Sequence, residues 1–77
     1  MFTIEHEFDA SVITLVDEGE KPLREDVIIT VFDDQVLVEQ HDDRTDRTST
    51  VTLSMAMLRD LRIAFNLPEG TYRLKKQ

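Results

Sequence analysis

His6 and His41 are the only histidines of this sequence, and imidazole is a common metal ligand. His6 lies in a segment that alternates apolar and polar residues, and His41 is followed closely by Asp42, Asp43 and Asp46. If the two segments met, their nitrogens and carboxylate oxygens could hold a metal ion. The spacing matches no metal motif, however, and "DDRTD" lacks the glycine and distal glutamate of a calcium loop. We therefore interpret both histidines as structural or solvent-facing, and expect no metal and no cofactor.

The serines and glycines match no catalytic or phosphate-binding motif either. None of Ser11, Ser49 and Ser54 stands in a nucleophile elbow, and Ser54 is placed to cap a following helix. The only glycines, Gly19 and Gly70, are too far apart to form a phosphate-binding loop. Carboxylates in the N-terminal part could form an acid–base pair, but on strand faces and loops they more often serve solubility. We predict that the protein is not an enzyme.

The C-terminal part carries basic residues around one aromatic. On a helix, residues three apart are neighbours, so Arg59 and Arg62 lie one turn apart. Basic groups beside an aromatic can bind single-stranded nucleic acid through phosphate contacts and stacking. The competing interpretation is that these cations only balance the acidic strands. The candidate nucleic-acid-binding residues are Arg59, Arg62, Tyr72, Arg73, Lys75 and Lys76.

The net charge of -7 is divided unevenly along the chain. Residues 1–43 hold 13 acidic and 2 basic residues, a net of -11, whereas residues 44–77 hold 3 acidic and 7 basic residues, a net of +4. One interpretation is that the two parts pack together and partly neutralise each other. The other is that an acidic and a basic surface each have a partner. The overall charge argues against general affinity for nucleic acid or anionic membranes.

Length limits stability. The 77 residues form a single small domain, 1–77, which at this size buries only about 60% of the surface of its unfolded chain. There is no cysteine, so disulfides and thiolate zinc sites are excluded, and oligomerisation remains as a common means of stabilisation. We therefore expect a homodimer. Apolar runs are too short for a membrane span and the N-terminus lacks a secretory pattern, which favours a cytoplasmic protein.

The pattern predicts an α+β fold. In "FTIEHEF" the alternation puts Phe2 and Phe8 on one strand face, and a hairpin leads to a second strand at Val12 to Val16. The third strand, Val27 to Phe32, is apolar on both faces and should be central and covered on both sides. "VLVEQH" and "STVTL" are two further strands. We expect an antiparallel sheet of four to six strands followed by one helix packed on one face, with "TYRLKK" as a short final strand or an extended tail.

The predicted helix runs from about Met55 to Asn66, where "LPEG" stops it. Ile63 falls almost opposite the apolar side, with Ala56 on the same line. We predict that Ala56 and Ile63 contribute to a homodimer interface. The residues predicted to face the core are Met57, Leu58, Leu61, Ala64 and Phe65.

The order of "VIITVF", "DDQ", "VLVEQH" and "STVTLSMAMLRDL", in which hairpins run directly into a helix, resembles the PC4-like single-stranded-DNA-binding family. The resemblance covers about residues 27–65. It implies a curved antiparallel sheet followed by a helix, and dimerisation. That family presents basic and aromatic residues on its sheet, whereas acids such as Asp33, Asp34 and Glu39 stand here, so its DNA-binding residues do not map onto this chain.

Charge and the lack of a reactive constellation together favour a non-catalytic interaction module that binds a protein partner through an acidic surface. The alternative is a PC4-like protein that binds single-stranded nucleic acid through its basic C-terminal residues.

Overall fold

The computed structural model of the chain describes residues 1–74, which form one five-stranded antiparallel sheet and one α-helix. The strands follow chain order across the sheet, so each connection joins neighbours. The predicted class, an antiparallel sheet followed by a helix, is confirmed. The elements are β1 (Phe2–His6), β2 (Ser11–Leu15), β3 (Val27–Val31), β4 (Gln35–Asp42), β5 (Arg47–Ser54) and α1 (Met55–Ala64).

One face of the sheet, here called the apolar face, is continuous across all strands. Residues directly opposite each other on paired strands share a face, so the register defines rows across the sheet. The central row of the apolar face contains only β-branched aliphatic residues: Ile4, Ile13, Ile29, Val38 and Val51. A second row begins with Phe2, Leu15 and Val27, and a third ends with Val31, Val36 and Leu53.

The other face, here called the polar face, is rich in threonine. One of its rows runs through Thr3, Thr14, Ile28, Glu39 and Thr50. Because β-branched threonine favours extended backbone while its hydroxyl tolerates water, this face can form a strand surface without being covered. β3 is central, as predicted, but Ile28 on its polar face is exposed, so the predicted cover on both sides is wrong within the single chain.

The helix begins where the sequence predicts it to begin. Ser54 has an extended backbone, and its hydroxyl oxygen accepts a hydrogen bond from the Met57 backbone N–H at 3.1 Å. At the other end, Asn66 N–H donates to the Ile63 carbonyl and Leu67 N–H to the Ala64 carbonyl, which are the tighter bonds typical of a helix terminus. The helix therefore ends at Ala64, two residues before the predicted end.

The predicted core face of the helix is not buried. Met57, Leu61 and Phe65, which follow one another at four-residue spacing, are 57%, 48% and 82% exposed, and Ala64 is exposed as well. Leu58 alone of the predicted set is half-buried. The physical reason is that α1 follows β5 without an intervening loop. The end of β5 therefore fixes the direction of the helix, which contacts only β4 and β5.

Burial is consequently low throughout. Among residues 1–74, Val36 is the one fully buried hydrophobic side chain. It lies at the start of β4, opposite Leu53 and close to the β5–α1 junction. Residues 71–74 form no strand, and the rest of the predicted final strand lies outside the described residues. No helix within residues 1–74 is long and apolar enough to cross a membrane.

Replacing Ser54 by alanine should lower the free energy of unfolding by about 1 kcal/mol, because the Met57 N–H loses its acceptor. Urea denaturation followed by circular dichroism measures this directly. Ser54→Thr keeps a hydroxyl and should recover most of the loss. Equal destabilisation by both substitutions would contradict the capping role.

Candidate acidic interaction surface

Two turns lie side by side at one end of the sheet. In the β1–β2 turn, Glu7 N–H donates to the Ala10 carbonyl at 2.7 Å, and in the β3–β4 turn Phe32 N–H donates to the Gln35 carbonyl at 2.9 Å. Because β2 pairs with β3 and Ser11 lies opposite Val31, the two turns are neighbours. Together they line a shallow depression at the surface.

The turns present carboxylates around an aromatic ring. Phe8 is fully exposed, and it does not continue the apolar strand face as its alternation predicted, because β1 ends at His6 and the chain turns there. The exposed residues of the two turns, here called the acidic turn surface, are Glu7, Phe8, Asp9, Asp33 and Asp34. Four carboxylates and no basic residue belong to this set, so it concentrates negative potential around an apolar anchor.

The arginines of the C-terminal part do not neutralise this surface. Arg59 pairs with its own neighbour Asp60, at 3.8 Å between Nε and Oδ1, and Arg44 pairs with Asp42 in the β4–β5 turn, at 3.7 Å. Within residues 1–74 no ion pair joins α1 to the acidic turn surface. Local pairs of this exposed kind contribute little to stability. Of the two interpretations of the charge division, the geometry therefore favours separate acidic and basic surfaces.

At the opposite end of the sheet, Asp17 organises the long β2–β3 loop. Its carboxylate accepts hydrogen bonds from the backbone N–H of Arg24 at 2.8 Å and of Gly19 at 2.9 Å. These bonds, that from Arg24 first, hold the pKa of Asp17 below its usual value because they stabilise the charged form. The long β2–β3 loop, which is rich in acids, is thus closed around one of them.

The two histidines are separated. His6 ends β1 beside the acidic turn surface, where its Nδ1 hydrogen-bonds with Ser11 Oγ at 2.8 Å. His41 lies near the far end of β4, with Nδ1 on Thr48 Oγ1 at 2.9 Å and Nε2 at 3.3 Å from Asp46 Oδ1. Since the histidines occupy opposite ends of the sheet, the joint metal site considered from the sequence is excluded by geometry. Within residues 1–74 no group of three or more ligand-type residues could hold a metal ion.

The basic candidates are only partly brought together. Arg59 and Arg62 line one side of α1, next to Ile63 and Leu67. Tyr72 lies in the segment that follows the helix. Its hydroxyl donates a hydrogen bond to the Pro68 carbonyl at 3.1 Å. Its ring lies against Gly70, where an added Cβ would lie only 3.1 Å from a ring carbon. Arg73 is exposed, and Lys75 and Lys76 lie outside the described residues.

Ile63 has a different environment from the one its position on the helix suggested. The chain returns after α1, so that Ile63, Leu67, Tyr72 and Leu74 line a groove between the helix and the C-terminal segment. Ile63 is 37% exposed, less than Met57, Leu61 and Phe65 on the predicted core side, while Ala56 remains exposed. Its apolar side chain is therefore partly accounted for by contact within its own chain.

Residues 3–64 match the family described as Domain of unknown function (DUF8831). The chain belongs to this family. The matched span begins in β1 and ends with the last residue of α1, so it contains the whole acidic turn surface, Arg59 and Arg62. Tyr72, Arg73 and both terminal lysines lie beyond it. No curated protein and no solved structure matches this chain.

The sequence pattern indicated the acids but not the exposure of Phe8. Its alternation with Phe2 suggested a buried strand position, and the break at "DA" (residues 9–10) was the signal that the chain turns. Because Glu7 N–H already bonds to Ala10, the turn begins one residue before the phenylalanine. An aromatic residue inside a tight, acid-flanked turn has no sheet neighbour to cover it.

Replacing Asp17 by alanine should loosen the β2–β3 loop, because Gly19 and Arg24 N–H lose their acceptor. In ¹⁵N–¹H heteronuclear NOE measurements at neutral pH, values for residues 19–24 should fall in Asp17→Ala. Glu20→Ala removes the same charge from the same loop and should leave them unchanged.

The order of the β2–β3 loop should also depend on pH. Since the folded pKa of Asp17 is lowered, the stabilisation is complete above the unfolded value of 3.8 and is lost as the pH falls through the lower folded pKa. The wild-type loop should therefore remain ordered at pH 5 and loosen only below 3.8. If the β2–β3 loop loosens already well above this pH, the hydrogen bonds to the Asp17 carboxylate are not what orders it.

Proposed function

We propose that this domain is a non-catalytic interaction module that binds a basic segment of a protein partner through the acidic turn surface. The observation that carries the proposal is the fully exposed Phe8 between Glu7 and Asp9, beside a second turn with Asp33 and Asp34. An aromatic ring surrounded by carboxylates suits lysine or arginine, which combine ion pairing with cation–π contact.

The electrostatics support the same partner class. Negative charge on two adjacent turns, without ion pairs to the helix, raises the local concentration of cationic segments and speeds their encounter. Rim charges alone contribute mainly to association rate, so binding energy needs an anchor that becomes buried. Phe8 supplies that anchor.

The histidines and hydroxyls that could act in catalysis do not form one shared site. The histidines lie at opposite ends of the sheet, and the hydroxyls of Ser11 and Ser54 are held by His6 and the helix N-terminus. Each histidine hydrogen-bonds to a hydroxyl, His6 to Ser11 and His41 to Thr48, but both pairs are exposed on the strands and neither lies in a site that excludes water. We therefore propose a role in binding rather than in catalysis.

Titration of ¹⁵N-labelled protein with a lysine- and arginine-rich peptide tests the proposal. We expect saturable shifts confined mainly to residues 7–10 and 32–35. Phe8→Ala should weaken binding about five- to tenfold, corresponding to a cation–π and packing contribution of about 1 kcal/mol. Glu7→Lys/Asp9→Lys should abolish it.

The matched control is Asp43→Lys/Asp46→Lys, which makes the same change of charge at the opposite end of the sheet. It should retain binding within about twofold, since charges this far apart are screened at physiological salt. If the control weakens binding as much as Glu7→Lys/Asp9→Lys does, only net charge matters and the acidic turn surface is not the site.

The alternative function, single-stranded nucleic-acid binding, has one favourable observation: Arg59 and Arg62 lie side by side on α1 with Asn66 nearby. Against it, Tyr72 is held against Gly70, and the polar face of the sheet offers mainly threonines, acids and aliphatic residues. The strand surface thus departs from the PC4-like pattern at the positions that would contact DNA.

A fluorescent single-stranded oligonucleotide titrated at low salt distinguishes the two functions. We expect no saturable binding. The alternative predicts saturable binding whose logarithm falls linearly with the logarithm of salt concentration, and which Arg59→Ala/Arg62→Ala weakens. That result would replace the leading proposal.

A further inference from the structure

The single chain exposes much more surface than a folded monomer of its mass. Its accessible area is 7073 Å², whereas the size scaling for a 9.0 kDa monomer gives about 4,900 Å². Its radius of gyration is 14.8 Å, against about 11.5 Å for a compact domain of this length. The excess of roughly 2,200 Å² per chain is of the size that an obligate homodimer buries.

Two of the exposed apolar surfaces are large enough to receive a partner. The first is the part of the apolar face on β1 to β3, where Phe2 and Leu15 are exposed and Ile4 is 52% exposed. The second, here called the helix stripe, consists of Met57 and Leu61 on α1 and of Phe65, the residue that caps its C-terminus. Large contiguous apolar surfaces of this kind mark interaction sites on soluble proteins.

The dimensions indicate what covers the apolar face. Five strands span about 19 Å, and helices pack about 10 Å apart, so two helices are needed to cover the sheet. Each chain supplies one α1, and that helix contacts only β4 and β5. Strands β1 to β3, and Val51 of β5, are therefore left uncovered. A second copy of the chain carries a helix with its own stripe exposed.

Charge is compatible with a second copy as well. The acidic and basic residues on the apolar face of the strands are Asp42 and Arg47, which lie directly opposite each other, so their charges cancel. The chain's excess of acids lies mostly in the turns. Joining two apolar faces and stripes thus leaves the negative charge at the rim, the arrangement common to stable interfaces.

We propose that two copies form a symmetric dimer in which the helix stripe of each lies on strands β1 to β3 of the other. In such an isologous interface, each Leu61 approaches the partner's apolar face and each apolar face receives a partner helix. The proposal is independent of the acidic turn surface, and either can fail without the other.

Sedimentation equilibrium of the full chain should give twice the 9.0 kDa chain mass. Leu61→Glu and Ile4→Glu should each raise the dimer dissociation constant about 30-fold or more, as expected for buried anchor residues. Thr3→Glu, on the polar face next to Ile4, and Ile63→Glu, on the opposite side of α1, are the matched controls and should remain dimeric. A monomeric wild type overturns the proposal, as does dissociation by Ile63→Glu without dissociation by Leu61→Glu.

Crosslinking covers the case in which the charged variants fail to fold. The chain has no cysteine, so Ile4→Cys and Leu61→Cys proteins can be mixed and treated with a short bismaleimide. We expect the mixed product, which joins position 4 of one chain to position 61 of the other, to dominate. With Thr3→Cys in place of Ile4→Cys, the yield of the mixed product should be low. Dominance of the product that joins two Ile4→Cys chains would indicate sheet-on-sheet packing and, like the absence of any crosslink, would overturn the proposed exchange.

Discussion

A sheet is stabilised by burying at least one face, and in this chain the one helix covers only part of its sheet. The helix has ten residues and is therefore only about 15 Å long. It contacts two of five strands, and Val36 is the one hydrophobic residue of the described chain that becomes fully buried. Side-chain burial is the main favourable contribution to folding, and the proposed dimer would supply the burial that the single chain lacks.

This constraint connects the architecture with the distribution of charge. Apolar residues occupy one sheet face and one helix stripe, threonines occupy the other face, and most acids lie in the turns. An assembly that covers the apolar face leaves the turns at its rim, available to a cationic partner. Self-association and partner binding can therefore use different surfaces of the same small domain.

Local patterns predicted much of the fold. Alternation located β1 to β5 within one or two residues, because a two-residue period is set by the strand itself. Ser54 marked the helix start because capping is a local hydrogen bond.

The environment of the helix was predicted wrongly. Periodicity shows which residues share a side of α1, but it does not show whether a neighbouring element reaches that side. Met57 and Phe65 are consequently exposed, and Ile63 is partly covered by the C-terminal segment. The acidic character of the candidate site followed from composition, whereas the neighbouring position of its two turns required the strand register.

Thermal unfolding at two protein concentrations tests most directly whether the single chain is incomplete. For folding coupled to dimerisation, a hundredfold increase in concentration should raise the unfolding midpoint by roughly 5–10 °C, since association stabilises only the folded state. A midpoint that is the same at both concentrations, with a fully folded chain at the lower one, would show that the monomer is stable alone and would contradict this account.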